Sequence, residues 1–205
     1  MENVKNGKFI VIEGLDGSGK DVQATLLHQT LPNSYLGYAP TREGKLQEVI
    51  REELINPSMY QQDEELFLSY LMHADRIFQT WNTQNGIYKT ITNDKKHYIS
   101  VRYSLSSKVY NSKQMDTEDL LKPNLTIFLD IKPIHSLKRI QNRNKVDLTN
   151  IERYENLEKL TEVREKYLYE IEKLKESGHN VLVVDATLEI TEIHNLIMNH
   201  VNIIL

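Results

Sequence analysis

Short apolar runs alternate along this chain with longer stretches whose apolar positions recur every three or four residues. Lys8–Glu13 reads as a buried strand, followed by a glycine-rich turn and a helical pattern from Lys20 to about Leu31, which Pro32 ends. Ser34–Ala39 is a weaker strand pattern. Leu46, Val49, Ile50 and Leu54 stand at helical spacing, closed by Asn56-Pro57. Asp63 offers an N-cap for a long helix carrying Leu66, Phe67, Tyr70, Leu71, Ala74, Ile77, Phe78 and Trp81. His97–Val101 and Thr126–Asp130 read as strands, and Ile134–Arg143 as a helix after Pro133. From about Glu152 to Lys175, Leu157, Leu160, Val163, Tyr167, Leu168, Ile171 and Leu174 form one stripe, with Glu155/Lys159 and Glu162/Lys166 spaced to pair on the outer face. Gly178 stops that helix, Val181–Asp185 is a last strand, and Ile190–Met198 a last helix.

Strands separated by helices predict an α/β fold, a parallel five-stranded sheet with helices on both faces. No repeat and no Ser/Gly/Pro-rich linker divides residues 1–205, so one domain is expected. Asn142–Ile151, rich in Asn and charge, is expected to be a mobile loop.

Composition narrows the function classes. With 40% apolar residues, 8 Gly and 5 Pro, the chain is neither disordered nor low-complexity. No apolar stretch is long enough to span a bilayer, and Met-Glu-Asn-Val-Lys-Asn lacks the apolar core of a secretory signal. The absence of cysteine excludes a disulfide scaffold, a thiolate metal site and a thiol nucleophile. A net charge of -4 argues against a general nucleic-acid or membrane-surface binder. A cytoplasmic protein with no nucleic-acid or membrane partner is the expectation.

Chemistry enters at the first turn. Gly14-Leu15-Asp16-Gly17-Ser18-Gly19-Lys20 fills the first seven positions of the phosphate-binding pattern GxxxxGK[ST], after a strand and before a helix. Glycines let backbone N–H groups converge on one concavity, the helix N-terminus adds its positive end, and Lys20 can reach the outer phosphates. Position eight is Asp21 rather than a hydroxyl residue. Asp130 and Asp185 each end an apolar run like a Walker B acid, and two matches show how weak that pattern is. The seven histidines have no metal-like spacing; His73 is the only one expected near the site.

Around this turn the chain resembles the thymidylate kinases. Gly14–Lys20 with Gln23 is similar to that family's GLDGSGKTTQ, with Asp21-Val22 replacing two threonines. Thr41-Arg42-Glu43 resembles a shortened TREPG loop, and Leu71–Arg76 resembles LFAADR with Met72 in place of Phe. Val101–Asn111 resembles DRYxxSSLAYQ with Val101 in place of Asp, and Pro123–Arg139 resembles PDLTLYLDVPPEVGLKR. Glu152–Glu155 resembles the DRxE that closes the family's lid, and Val163–Leu168 the helix after it.

The resemblance implies a P-loop NTPase fold with a short lid at about 142–155, and transfer of the ATP γ-phosphoryl group to dTMP with Mg²⁺. It implies donor binding by Gly14, Leu15, Asp16, Gly17, Ser18, Gly19, Lys20 and Asp21, with Asp21 toward the metal. It implies acceptor binding by Asp16, Arg42, Met72, Arg76, Arg102, Ser107 and Tyr110, and catalytic charge from Lys20, Arg102, Arg143 and Arg153. It further implies a homodimer formed through helices flanking the acceptor site. If both positions border the metal, Asp21 and Val101 together leave the local number of carboxylates unchanged relative to the family pattern. They also motivate one alternative, a nucleotide-binding homologue with reduced or lost catalysis, while Met72 and the shortened Thr41–Gly44 loop motivate another, a kinase for a different monophosphate.

Overall fold

A computed structural model describes residues 6–56, 58, 61–110, 119–144 and 156–205. The central strand β1 (Phe9–Gly14) is buried at every position. Its alternation divides the interior: Ile10 and Ile12 join the larger core with Leu27, Ile99 and Phe128, whereas Phe9 and Val11 join Ile87, Tyr98, Tyr103 and Leu120. In the second cluster Phe9 meets Tyr98 and Tyr103 edge-to-face, at 5.9 and 4.9 Å between ring centroids. A strand apolar on both sides must be covered on both sides, which a parallel sheet between helix layers provides.

The other strands are β2 (Ser34–Tyr38), β3 (His97–Val101), β4 (Leu125–Asp130) and β5 (Val181–Asp185). All pair in parallel, in the order β2-β3-β1-β4-β5. The five strands of the sequence reading are therefore present. Successive connections leave β1 first to one side and then to the other. That reversal opens a crevice at the carboxyl ends of the central strands, where open α/β sheets bind ligands.

The helices are α1 (Lys20–Thr30), α2 (Lys45–Ile55), α3 (Gln61–Trp81), α4 (Ile87–Thr92), α5 (Ser104–Tyr110), α6 (Pro133–Asn144), α7 (Leu157–Glu176) and α8 (Ile190–Ile204). Three boundaries depart from the sequence reading. Helix α3 starts at Gln61, so Asp63 lies inside its first turn instead of capping it. Helix α7 starts at Leu157, because Asn156 caps it by accepting a hydrogen bond from the Lys159 amide at 2.9 Å. Helix α8 continues past Met198, held by buried Val201. Helices α4 and α5 are too short to show a 3.6-residue period, and the pattern gave no sign of them.

Glu162 takes up Lys166 and Lys159 on the outer face of α7; Glu155 lies outside the described residues. Residues 142–144, expected to open a mobile loop and lid, instead continue helix α6, and the rest of the expected 142–155 lid, including Arg153, lies outside the described residues. No described helix is long and apolar enough to cross a membrane.

Candidate active site

Residues 14–20 join β1 to α1 as one tight turn. Gly17 has φ +76°, and a Cβ there would stand 2.8 Å from the Ser136 carbonyl oxygen on α6. Gly19, at φ +93°, has no atom within 4 Å of the equivalent point, so the loop is crowded behind and open in front. Helix α6 grips the turn from behind: the Ser136 hydroxyl donates to the Asp16 carbonyl, and Arg139 donates to the Gly17 carbonyl at 3.3 Å and to that of Ala186 at 2.9 Å. Gly14, Leu15 and Ser18 are buried in the turn, and the Ser18 hydroxyl has no partner among the described residues.

Lys20 is folded back into this concavity. Its Nζ donates to the Leu15 carbonyl at 2.6 Å and lies 3.8 Å from Asp16 Oδ1. Burial, aided by Arg102, pulls the ammonium down to about 8 against the opposing pull of Asp16 and Asp21. Burial alone would raise the Asp16 carboxyl, but Arg102 and Lys20 outweigh it and hold it at about 2.

Arg102 completes the couple. It follows β3 with a left-handed backbone, φ +66°, which is uncommon outside glycine. Its Nη2 donates to Asp16 Oδ1 at 2.6 Å and to the Tyr110 hydroxyl at 3.3 Å, while Nη1 reaches Ser106 at 3.3 Å and Tyr167 at 3.4 Å. Burial works against this charge, yet Asp16 and the ring hydroxyls lift Arg102 well above its usual range.

Glu13 is a residue that the motif reading missed. Fully buried, its carboxylate accepts from the Tyr103 amide at 2.8 Å, the Ser106 amide at 3.2 Å, the Ser106 hydroxyl at 2.6 Å and the Tyr167 hydroxyl at 3.0 Å. It thereby clamps the β3–α5 turn on which Arg102 sits. One signal was present: an acidic residue ends an otherwise apolar strand.

The P-loop lysine, Arg102 and the remaining cations border a cleft of about 290 Å³ at the carboxyl edge of the sheet. Asp16, Asp21, Arg42, Met72, Arg76, Tyr110 and Arg143 all line it, as does Val101. Arg76 is buried, donating through Nε to the Tyr103 carbonyl at 3.1 Å and through Nη1 to that of Met72 at 2.7 Å. Ser107 is buried but absent from the lining, where its neighbour Ser106 stands instead, because one step along a helix turns a side chain by about 100°. Arg153 lies outside the described residues.

Asp130 and Asp185 both have local structural partners. Asp130 forms a two-pronged pair with Arg164 at 2.8 and 2.9 Å, and Asp185 accepts from the Thr187 amide and hydroxyl at 2.8 and 2.7 Å.

Among the described residues no group of three or more His, Asp or Glu side chains could hold a metal ion. Asp16 and Asp21 nevertheless present carboxylates to the cleft beside Lys20. Magnesium commonly takes one or two carboxylates and completes its shell with substrate phosphates and water, so this donor set fits an ion arriving with a nucleotide.

A family model described as thymidylate kinase matches residues 12–197. The chain belongs to the thymidylate kinase family. Among its relatives, a probable thymidylate kinase of Methanosphaera stadtmanae is 31% identical over 87% of this chain and 89% of its own length. Two solved structures share the fold of this family member. A Candida albicans thymidylate kinase gives a TM-score of 0.73 at 22% identity, over 97% of this chain and 92% of its own. A deoxyadenosine kinase of M. mycoides with bound dATP gives 0.66 at 19% identity, over 95% and 99%. The P-loop NTPase fold implied by the sequence is therefore the fold observed.

Proposed function

We propose that this thymidylate kinase family member transfers the γ-phosphoryl group of ATP to the 5′-phosphate of dTMP, giving ADP and dTDP. The observation that carries the reading is the convergence of Lys20, Arg42, Arg76, Arg102 and Arg143 on one cleft next to a phosphate-binding turn. In-line transfer between two polyanions requires compensation of negative charge on several oxygens, and guanidinium groups supply it in a fixed, forked geometry. Lys20 is assigned to the donor's outer phosphates. Arg102, braced by Asp16 and Glu13, and Arg42 and Arg76 across the cleft are assigned to the acceptor.

An acceptor phosphate oxygen forms the new bond to the γ-phosphorus as the bond to the β,γ-bridging oxygen breaks, its electron pair leaving with ADP. A monophosphate with a second pKa of about 6 is largely deprotonated at neutral pH and requires no general base. Val101 therefore removes no proton acceptor that the step requires. Bound Mg²⁺, taken up through Asp21 with Asp16 nearby, would neutralise phosphate charge. Met72 and Tyr110 line the wall assigned to the acceptor base and sugar, and Ser107 would act from behind Ser106. Arg143 is assigned to the transferring group together with Arg153.

Tyr70, Ile77, Phe78 and Trp81 leave large apolar side chains exposed along one face of α3, beside the acceptor wall. Such a stripe supports a homodimer formed through this face. One cytoplasmic domain acting on small molecules, without nucleic acid or membrane, completes the proposal.

Coupled ADP release with MgATP and a panel of nucleoside and deoxynucleoside monophosphates tests it. Turnover highest with dTMP is expected. Faster turnover with another acceptor, or nucleotide binding without turnover, overturns it.

Arg102→Ala should weaken dTMP far more than ATP, by about tenfold to a hundredfold for one charged hydrogen-bonding group. Separate calorimetric titrations of the two ligands check this. Equal losses would place Arg102 between the sites.

A further inference from the structure

Asp21 stands where the family's phosphate-binding turn carries a hydroxyl, and its partner in the structure is Arg42 of the opposite wall. The two side chains form an ion pair across the mouth of the cleft. Arg42 is held in a second way, with its guanidinium carbon 3.4 Å from the centroid of the Tyr38 ring. These contacts use different parts of the group. The ring takes the guanidinium face, whereas Asp21 Oδ1 accepts from Nη2 on its edge, a donor that a phosphate would also use.

The backbone just before Arg42 is tethered. The Thr41 amide donates to both carboxylate oxygens of Asp75, at 3.1 and 3.2 Å, and Gln79 braces that carboxylate from α3. Arg42 can therefore exchange one anion for another by moving its side chain alone, with the ring still beneath it.

We propose that Asp21 is a built-in competitor for Arg42 that makes acceptor binding depend on the donor. Without nucleotide, the carboxylate occupies the edge of Arg42 and also repels an incoming phosphate. When the donor arrives with its cation, Asp21 has a stronger partner at the phosphate-binding turn, and Arg42 is released to the acceptor. A hydroxyl at this position could accept a hydrogen bond from the arginine but has no charge with which to pair it or to repel the acceptor, so the coupling belongs to the aspartate. The proposal rests on the assignment of Arg42 to the acceptor phosphate.

The size of the effect follows from exposure. The side chains of Arg42 and Asp21 are 57% and 54% exposed, so the pair is a surface one. Its strength sets a coupling of up to about fivefold in affinity.

Calorimetric titration of dTMP separates the possibilities, because it reads affinity rather than turnover. Wild-type protein, Asp21→Asn and Arg42→Ala are each titrated alone, with a non-hydrolysable ATP analogue in EDTA, and with the analogue plus Mg²⁺. For wild type, dTMP should bind several-fold tighter with analogue and Mg²⁺ than alone, and gain nothing from the analogue in EDTA. Asp21→Asn should bind dTMP tighter from the outset and show no further gain, and Arg42→Ala should bind weakly under all three conditions. The same gain in Asp21→Asn as in wild type, or no gain in wild type, overturns the competition while leaving the acceptor assignment standing. Unchanged dTMP affinity in Arg42→Ala overturns the assignment and the competition together.

Discussion

Lys20→Ala should lower kcat by at least about a hundredfold, the usual size for removal of one main electrostatic contact to a developing charge. Folding should be nearly unaffected. The substitution frees the Leu15 carbonyl from its 2.6 Å hydrogen bond but also removes a buried charge that the fold has to accommodate. Those two effects oppose one another, so thermal unfolding followed by circular dichroism should stay near that of wild type. Stopped-assay rates at saturating ATP and dTMP provide the measurement. Turnover within a few-fold of wild type would mean that the ammonium faces no transferred phosphate.

The second large effect is expected at Glu13. Glu13→Ala leaves the Tyr103 amide, Ser106 and the Tyr167 hydroxyl without their buried acceptor. At about 1–3 kcal/mol for each stranded donor, the loss of stability should be at least about 3 kcal/mol. Urea denaturation gives that number if the variant folds. Glu13→Gln keeps the shape and one acceptor oxygen, and the two hydroxyls can turn to receive its amide. It should fold, yet hold the Arg102 turn less firmly, so dTMP affinity should fall several-fold with ATP affinity little changed. A Glu13→Gln protein with wild-type dTMP affinity would show that Arg102 keeps its place without the carboxylate.

These two positions also mark how far the sequence could be read. Lys20 was legible because its signal is local: glycines, a lysine and a helix start within seven residues, directly after an apolar strand. The strands were legible for the same reason, as short largely apolar runs between turn residues, with β2 the faintest of the five. Glu13 offered only an acid at the end of an apolar strand, since its partners lie 90 to 154 residues away and only the closed sheet brings them to it. The Asp21–Arg42 pair joins two motifs read separately, and nothing in either indicates that they meet across the cleft. Ser106 and Ser107 are adjacent in the chain, and only the rotation of α5 decides which of them faces the cleft. The left-handed backbone of Arg102 is a tertiary effect of the clamp beneath it, against the local preference of an arginine.

Helix α6 carries one further consequence. Ser136 and Arg139 hold the phosphate-binding turn from behind, and Arg143 enters the cleft from the same helix. The positions fall at i, i+3 and i+7, and seven residues make almost two complete turns, so all three project from one side over about 10 Å. The helix is thus a gauge block between a gripped end and a working end. The offset of Arg143 from Ser136 is close to two turns of the helix, set by α6 itself. A residue inserted between Arg139 and Arg143 would leave the grip untouched and swing Arg143 through about 100° of phase. The direction from which this cation enters the cleft is therefore a matter of helical register.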